Sequence, residues 1–131
     1  MQRRVINPWT WQDQFGFVQA NEVTGVQRTL FCAGQTSVDA VGAPVAVGDM
    51  VGQVNQALDN LETVLKQAGF TLADVVRLNY YTTDVEGFFR AAETVGARLG
   101  SAGCRAASTL LGVTRLAFPD LLIEIEATAA K

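Results

Sequence analysis

Between Asp49 and Gly69, the apolar residues Met50, Val51, Val54, Leu58, Leu61, Val64, Leu65 and Ala68 recur at intervals of three and four. That spacing lays an apolar stripe along a helix of about five turns. Asp49 offers an N-cap carboxylate, and Gly69 supplies the C-terminal stop. Gln53, Asn55, Gln56, Asp59, Glu62 and Lys66 fall on the opposite face, which reads as solvated. A helix that is apolar on one face only must lie against another layer, and its neighbours in the sequence are strand-like.

Residues 17–23 (FVQANEV) and 28–34 (RTLFCAG) are short β-branched and aromatic runs separated by Thr24-Gly25, the pattern of a β-hairpin. Residues 74–83 place Val76, Leu78 and Tyr80 on one parity, as a half-buried strand would. Asp84 then caps a second helix carrying Phe88, Ala92, Val95 and Leu99, with Gly100 as its end. Residues 107–116 and 121–129 read as two further strands joined at Phe118-Pro119-Asp120, and Arg3 to Ile6 offers an additional one. The expected order is β-β-α-β-α-β-β in a single domain, residues 1–131. This is an α+β chain with a mostly antiparallel sheet and two helices on one face.

Two helices cover one face of such a sheet. Strand residues such as Leu110 or Leu111, Leu121, Ile123 and Ile125 would then stay wet in a lone chain. Hydrophobic residues make up 49% of the sequence, high enough to favour burial of that face against further copies. A homo-oligomer is therefore expected.

The formal net charge is −3, and the arginines are scattered along the chain without forming a stripe, so no nucleic-acid partner is expected. The basic Met1–Arg4 start leads into Asn7-Pro8 with no apolar run of signal-peptide length. No segment has the length of a membrane span, and the expected location is cytoplasmic. Cys32 and Cys104 read as free, inert thiols. With no histidine and only two cysteines, neither a zinc site of ordinary spacing nor another cofactor is expected.

The absence of histidine also excludes Ser-His and Cys-His nucleophile pairs. Acid/base chemistry must then use carboxylates, hydroxyls or bound water. The strand Leu121–Ala129 carries two acids, Glu124 and Glu126, in otherwise apolar surroundings. They differ by two positions and share one strand face about 7 Å apart, close enough for repulsion or burial to raise one pKa. A carboxyl poised in this way can handle the proton of a bound water. The competing role is structural, with arginines such as Arg77 or Arg115 holding the acids across the sheet.

NQALDNLETVLKQAG, DVVRLNYYTTD and LLIEIEATA, together with FGFVQA and LFCAGQ, resemble the RidA family (YjgF/YER057c/UK114) over about Gln14 to Ala129. The resemblance implies a chorismate-mutase-like fold and a homotrimer whose sheets form a central barrel. It also implies a small-molecule pocket at each subunit interface. The implied activity is hydrolysis of enamines and imines with release of ammonia. The implied catalytic acid is Glu124, and Gly34 lies in the matching Gly-Gln segment.

The family's substrate-gripping arginine is missing. One register puts Ser108 in its place and the other Thr109, while Arg105 lies three residues before Ser108 and reaches the pocket only if the strand bends. Phe17 replaces the family's tyrosine, Ala33 a serine, Ala92 an asparagine and Leu110 a cysteine. The implied function is thus a RidA-like enamine/imine deaminase of altered substrate range. The alternative is a non-catalytic trimer that binds or senses a small metabolite. A ribonuclease fits poorly with an acidic chain lacking histidine.

Overall fold

A computed structural model describes residues 1–131. Its strands are β1 (Gln2–Ile6), β2 (Ala20–Thr24), β3 (Thr29–Phe31), β4 (Gln35–Thr36), β5 (Val75–Thr82), β6 (Ala107–Gly112) and β7 (Ile123–Ala130). Helix α1 (Met50–Gln67) lies between β4 and β5, and α2 (Val85–Ser101) lies between β5 and β6. The main sheet runs β3-β7-β5-β6, with β4 also paired to β7. Strand β7 is antiparallel to β3, β4 and β5, whereas β5 and β6 are parallel and joined through α2. No helix is long and apolar enough to cross a membrane.

Both N-caps form as the sequence indicates: Asp49 accepts from the Gly52 amide at 3.0 Å and Asp84 from the Gly87 amide at 2.9 Å. Gly69, at φ +79°, ends α1 in the left-handed conformation. Helix α2 runs past Gly100, and the left-handed glycine that ends it is Gly103 at φ +70°.

The expected hairpin between residues 17–23 and 28–34 does not form. Strand β2 pairs with β1, the additional strand read at Arg3–Ile6, in a separate two-stranded ribbon. After Gly25 the chain is captured by the end of β7, where the Gln27 and Arg28 amides both donate to the Lys131 carbonyl, and β3 continues that pairing. Strands β6 and β7 are likewise not neighbours, because β5 lies between them. The Phe118-Pro119-Asp120 turn therefore serves a crossover.

The core lies between the sheet and the helices. Val54, Leu58, Leu61 and Leu65 from α1 pack with Leu78 from β5 and with Ile123, Ile125 and Ala127 from β7. A register shift between Val75 and Arg77 puts Val75 in the core and leaves Val76 half-buried, so the inward set of β5 is Leu78, Tyr80 and Thr82. Leu121, Ile123 and Ile125, expected on a wet face, are all buried on the helix side. The uncovered face instead presents Arg77, Asn79, Tyr81, Thr109, Glu124 and Glu126, with Leu111 and Phe31, which pairs with Thr128, as its exposed apolar members. It is a largely polar face.

The polar side of α1 is also more than solvated. Gln53 is fully buried: its amide donates to the Asp120 carbonyl at 2.8 Å and accepts from the Leu122 amide at 2.8 Å, holding the turn before β7. Asp59 and Glu62 clamp Arg98 of α2 at 2.5 and 2.6 Å, and Asn60 holds the carbonyls of Thr36 and Val38.

Candidate functional site

Alternation along β6 and β7 divides the expected site residues between the two faces of the sheet. Ser108 pairs with Leu78 and Leu110 with Tyr80, so both turn toward the helices, whereas Thr109 pairs with Asn79 on the uncovered face. Glu124 pairs with Tyr81, and Glu126 with Asn79, on that same uncovered face.

On the helix side, Phe17, Ala92, Ser108 and Leu110 line one cleft of about 410 Å³. It lies between β6, α2 and the segment around Phe15–Phe17, with Cys104 and Tyr80 also in the lining. Burial raises the pKa of both: the Tyr80 phenol is pushed well up and the Cys104 thiol to about 11, so both stay neutral at pH 7. Cys32 is also a free, buried thiol, raised by burial. Arg105 precedes β6, is exposed and is absent from the lining; its carbonyl accepts from the Asn21 side chain at 2.9 Å.

On the uncovered face, Asn79 and Tyr81 both donate to the Glu126 carboxylate, Asn79 at 2.8 Å. Arg77 of β5 donates to the Thr109 hydroxyl at 2.9 Å and adds its charge beside Glu126. Repulsion or burial alone would raise the pKa of at least one of the two acids. Glu126 instead lies below the usual carboxylate range, owing first to the Tyr81 bond, then to Asn79, with Arg77 contributing. This outcome matches the structural role considered for that acid.

With Glu126 taking both donors, Glu124 lies half-buried beside β4, where it pairs with Thr36. Its side chain crosses directly over Gly34, so close that a Cβ built on that glycine would stand 2.6 Å from the carboxyl carbon. A side chain at position 34 would have to displace the carboxylate from that position. Gly34 is thus part of the seat of Glu124, while the cleft residues lie across the sheet from both.

A Tyr81→Phe variant should raise the apparent pKa of Glu126, read from carboxyl chemical shifts during a pH titration. The depressed pKa contributes stability above the unfolded-state value, and that contribution is lost as pH falls through the folded value. The variant should therefore flatten the acid limb of the stability profile. An unmoved Glu126 titration would assign the depression to Asn79 and Arg77 alone.

A mixed sheet with two helices on one face, a carboxylate seated on glycine and a neutral cleft across the sheet define an α+β protein of the chorismate-mutase-like fold. Residues 15–131 match the family model described as endoribonuclease L-PSP, and the chain belongs to this family, the RidA/YjgF family. A RutC family protein of Pyrococcus horikoshii is 35% identical over 102 residues, covering 78% of this chain and 79% of the relative. A Mus musculus protein named 2-iminobutanoate/2-iminopropanoate deaminase is 30% identical over 112 residues, covering 85% of this chain and 80% of its own. The crystal structure of a Yersinia pestis Rid-family protein of unknown function aligns with TM-score 0.87 and 45% identity over 100% of both chains.

Proposed function

We propose that the chain is the subunit of a homotrimeric RidA-like deaminase, which hydrolyses enamines or imines of altered substrate range at pockets shared between subunits. The supporting observation is the division of the site. Glu124 and Gly34 lie on one face of the sheet, and Phe17, Ala92, Ser108 and Leu110 line the cleft on the other. A single small substrate reaches both sets only where one subunit's cleft meets the Glu124 face of the next. Asn79 Oδ1, buried without a partner on the uncovered face, is consistent with a face completed by another copy. The name of the mouse relative supports the reaction class.

In this reading Glu124 accepts a proton from water as the water oxygen bonds to the imine carbon. The carboxyl returns that proton to the imine nitrogen to give a carbinolamine, and the hydroxyl proton then passes to the amine nitrogen as the carbon–nitrogen bond breaks, so that ammonia leaves with the electron pair and a carbonyl product remains. No redox partner is required.

The test has two parts. Light scattering at micromolar concentration should give the mass of a trimer; a monomer would remove the shared pocket. In the second part, imines generated enzymatically in the presence of semicarbazide should lose semicarbazone yield when the protein is added. No acceleration of hydrolysis with any imine would favour a second reading, a trimer that binds a small metabolite without turning it over. That alternative draws on the cleft's lack of charged side chains. A nuclease activity, despite the family model's description, finds no support in a chain of net charge −3 without histidine.

The two registers for the missing arginine now differ in meaning. Position 108 faces the cleft beside Phe17 and Ala92, whereas position 109 is already bonded to Arg77 on the other face. Activity on 2-aminoacrylate-type acids should be weak in the native protein. Ser108→Arg should raise it by about tenfold or more by restoring a charge-assisted contact worth about 1.5–3 kcal/mol. Thr109→Arg should not. Native turnover equal to that of an arginine-bearing relative would contradict this assignment.

A further inference from the structure

We propose that the cleft between β6, α2 and the Phe15–Phe17 segment receives a bulky, uncharged hydrocarbon group of the substrate, an aromatic ring or a branched alkyl chain. This rests on the imine-hydrolysing reading above and specifies its substrate class.

Twelve of the fifteen residues lining the cleft are hydrophobic, and none is Asp, Glu, Lys or Arg. Phe17, Phe88, Phe89, Val95 and Leu99 supply apolar walls over a sheet floor that includes Leu78 and Leu110. The Tyr80 and Phe88 rings meet at 5.2 Å in a tilted arrangement, leaving ring faces and edges for a further aromatic group. Lining residues Ala92 and Gly96 stand one turn apart on α2, and small side chains there keep the space open. A Cβ built on Gly96 would meet no atom within 4 Å.

The volume of about 410 Å³ exceeds what a ring requires, since apolar cavities of roughly 150 Å³ already bind benzene. The polar side chains in the lining, Ser108, Cys104 and Tyr80, are neutral near pH 7. A charged substituent entering this cleft would lose hydration with no countercharge to replace it, whereas an apolar group gains by leaving water.

The experiment compares imines in matched pairs, alanine with phenylalanine through an amino-acid oxidase and ethylamine with phenethylamine through an amine oxidase. Each is trapped with semicarbazide with and without the protein. The ring-bearing member of each pair should be hydrolysed at least about tenfold faster, since each buried methylene is worth about fourfold. Gly96→Leu fills the cleft without harming helix propensity, and should reduce the large-to-small ratio by about tenfold.

Turnover that is flat across each pair, or faster for the small member, would overturn this inference and leave imine hydrolysis standing. Absence of turnover on all four imines would overturn the catalytic reading. The cleft is then read by titrating phenylacetamide, a neutral aromatic amide, against methyl resonances. Shifts at Val95 and Leu99 that Gly96→Leu abolishes would support the apolar site, and no binding would overturn it.

Discussion

Replacing Glu124 by Gln should lower imine hydrolysis by about 10²-fold or more, with subunit mass and thermal midpoint almost unchanged. The amide keeps the shape of the side chain over Gly34 but cannot take up the proton of the attacking water. Assembly should survive because the donors of that face, Asn79 and Tyr81, are bonded to Glu126. Gly34→Ala provides the complement: a Cβ at 2.6 Å from the carboxyl carbon must push Glu124 aside while leaving its proton chemistry intact. The two variants together separate loss of the proton acceptor from loss of its position. If Glu124→Gln dissociates the protein or lowers its midpoint before turnover falls, the acid is structural. If turnover, mass and midpoint are all unchanged, neither role belongs to it.

The helices, their N-caps and the strands β5, β6 and β7 were legible because each rests on local rules. Asp49 and Asp84 cap, and apolar spacing at three and four marks the buried stripes. Strand partners were not legible. Thr24-Gly25 carries a hairpin signal, but the ends of both flanking strands are claimed by distant segments, β2 by β1 and β3 by β7. Nothing local to residues 17–34 encodes those longer-range pairings.

The same limit affected the site. The spacing of Glu124 and Glu126 fixed a shared face but not which acid receives Tyr81, since that depends on the β5–β7 register. In the sequence Arg77 is one candidate partner among several, and its bond to Thr109 needs the parallel β5–β6 pair formed through α2. Ser108 and Thr109 could not be separated by counting residues. Opposite pleat directions separate them at once. Gln53 offered no signal at all, because on a helical wheel it is one more polar residue of a solvated stripe.

Gln53 carries the largest expected effect on stability. Gln53→Leu should destabilise the fold by about 2–5 kcal/mol, since it leaves the Asp120 carbonyl and the Leu122 amide unpaired beside the buried Leu121 and Ile123. At fixed protomer concentration the thermal midpoint should fall by about 10 °C or more. Gln53→Glu should cost at least as much at neutral pH, because it keeps an acceptor for the Leu122 amide but buries a carboxylate against the Asp120 and Ala46 carbonyls that the amide N–H served. A leucine variant with an unchanged midpoint would mean that the Leu121–Phe118 backbone bond holds the turn by itself. The consequence extends to the site, because this turn feeds directly into β7. A slip of one residue there would turn Glu124 into the core and away from Gly34. Folded Gln53→Leu, assayed well below its midpoint, should therefore lose imine hydrolysis more steeply than it loses folded protein.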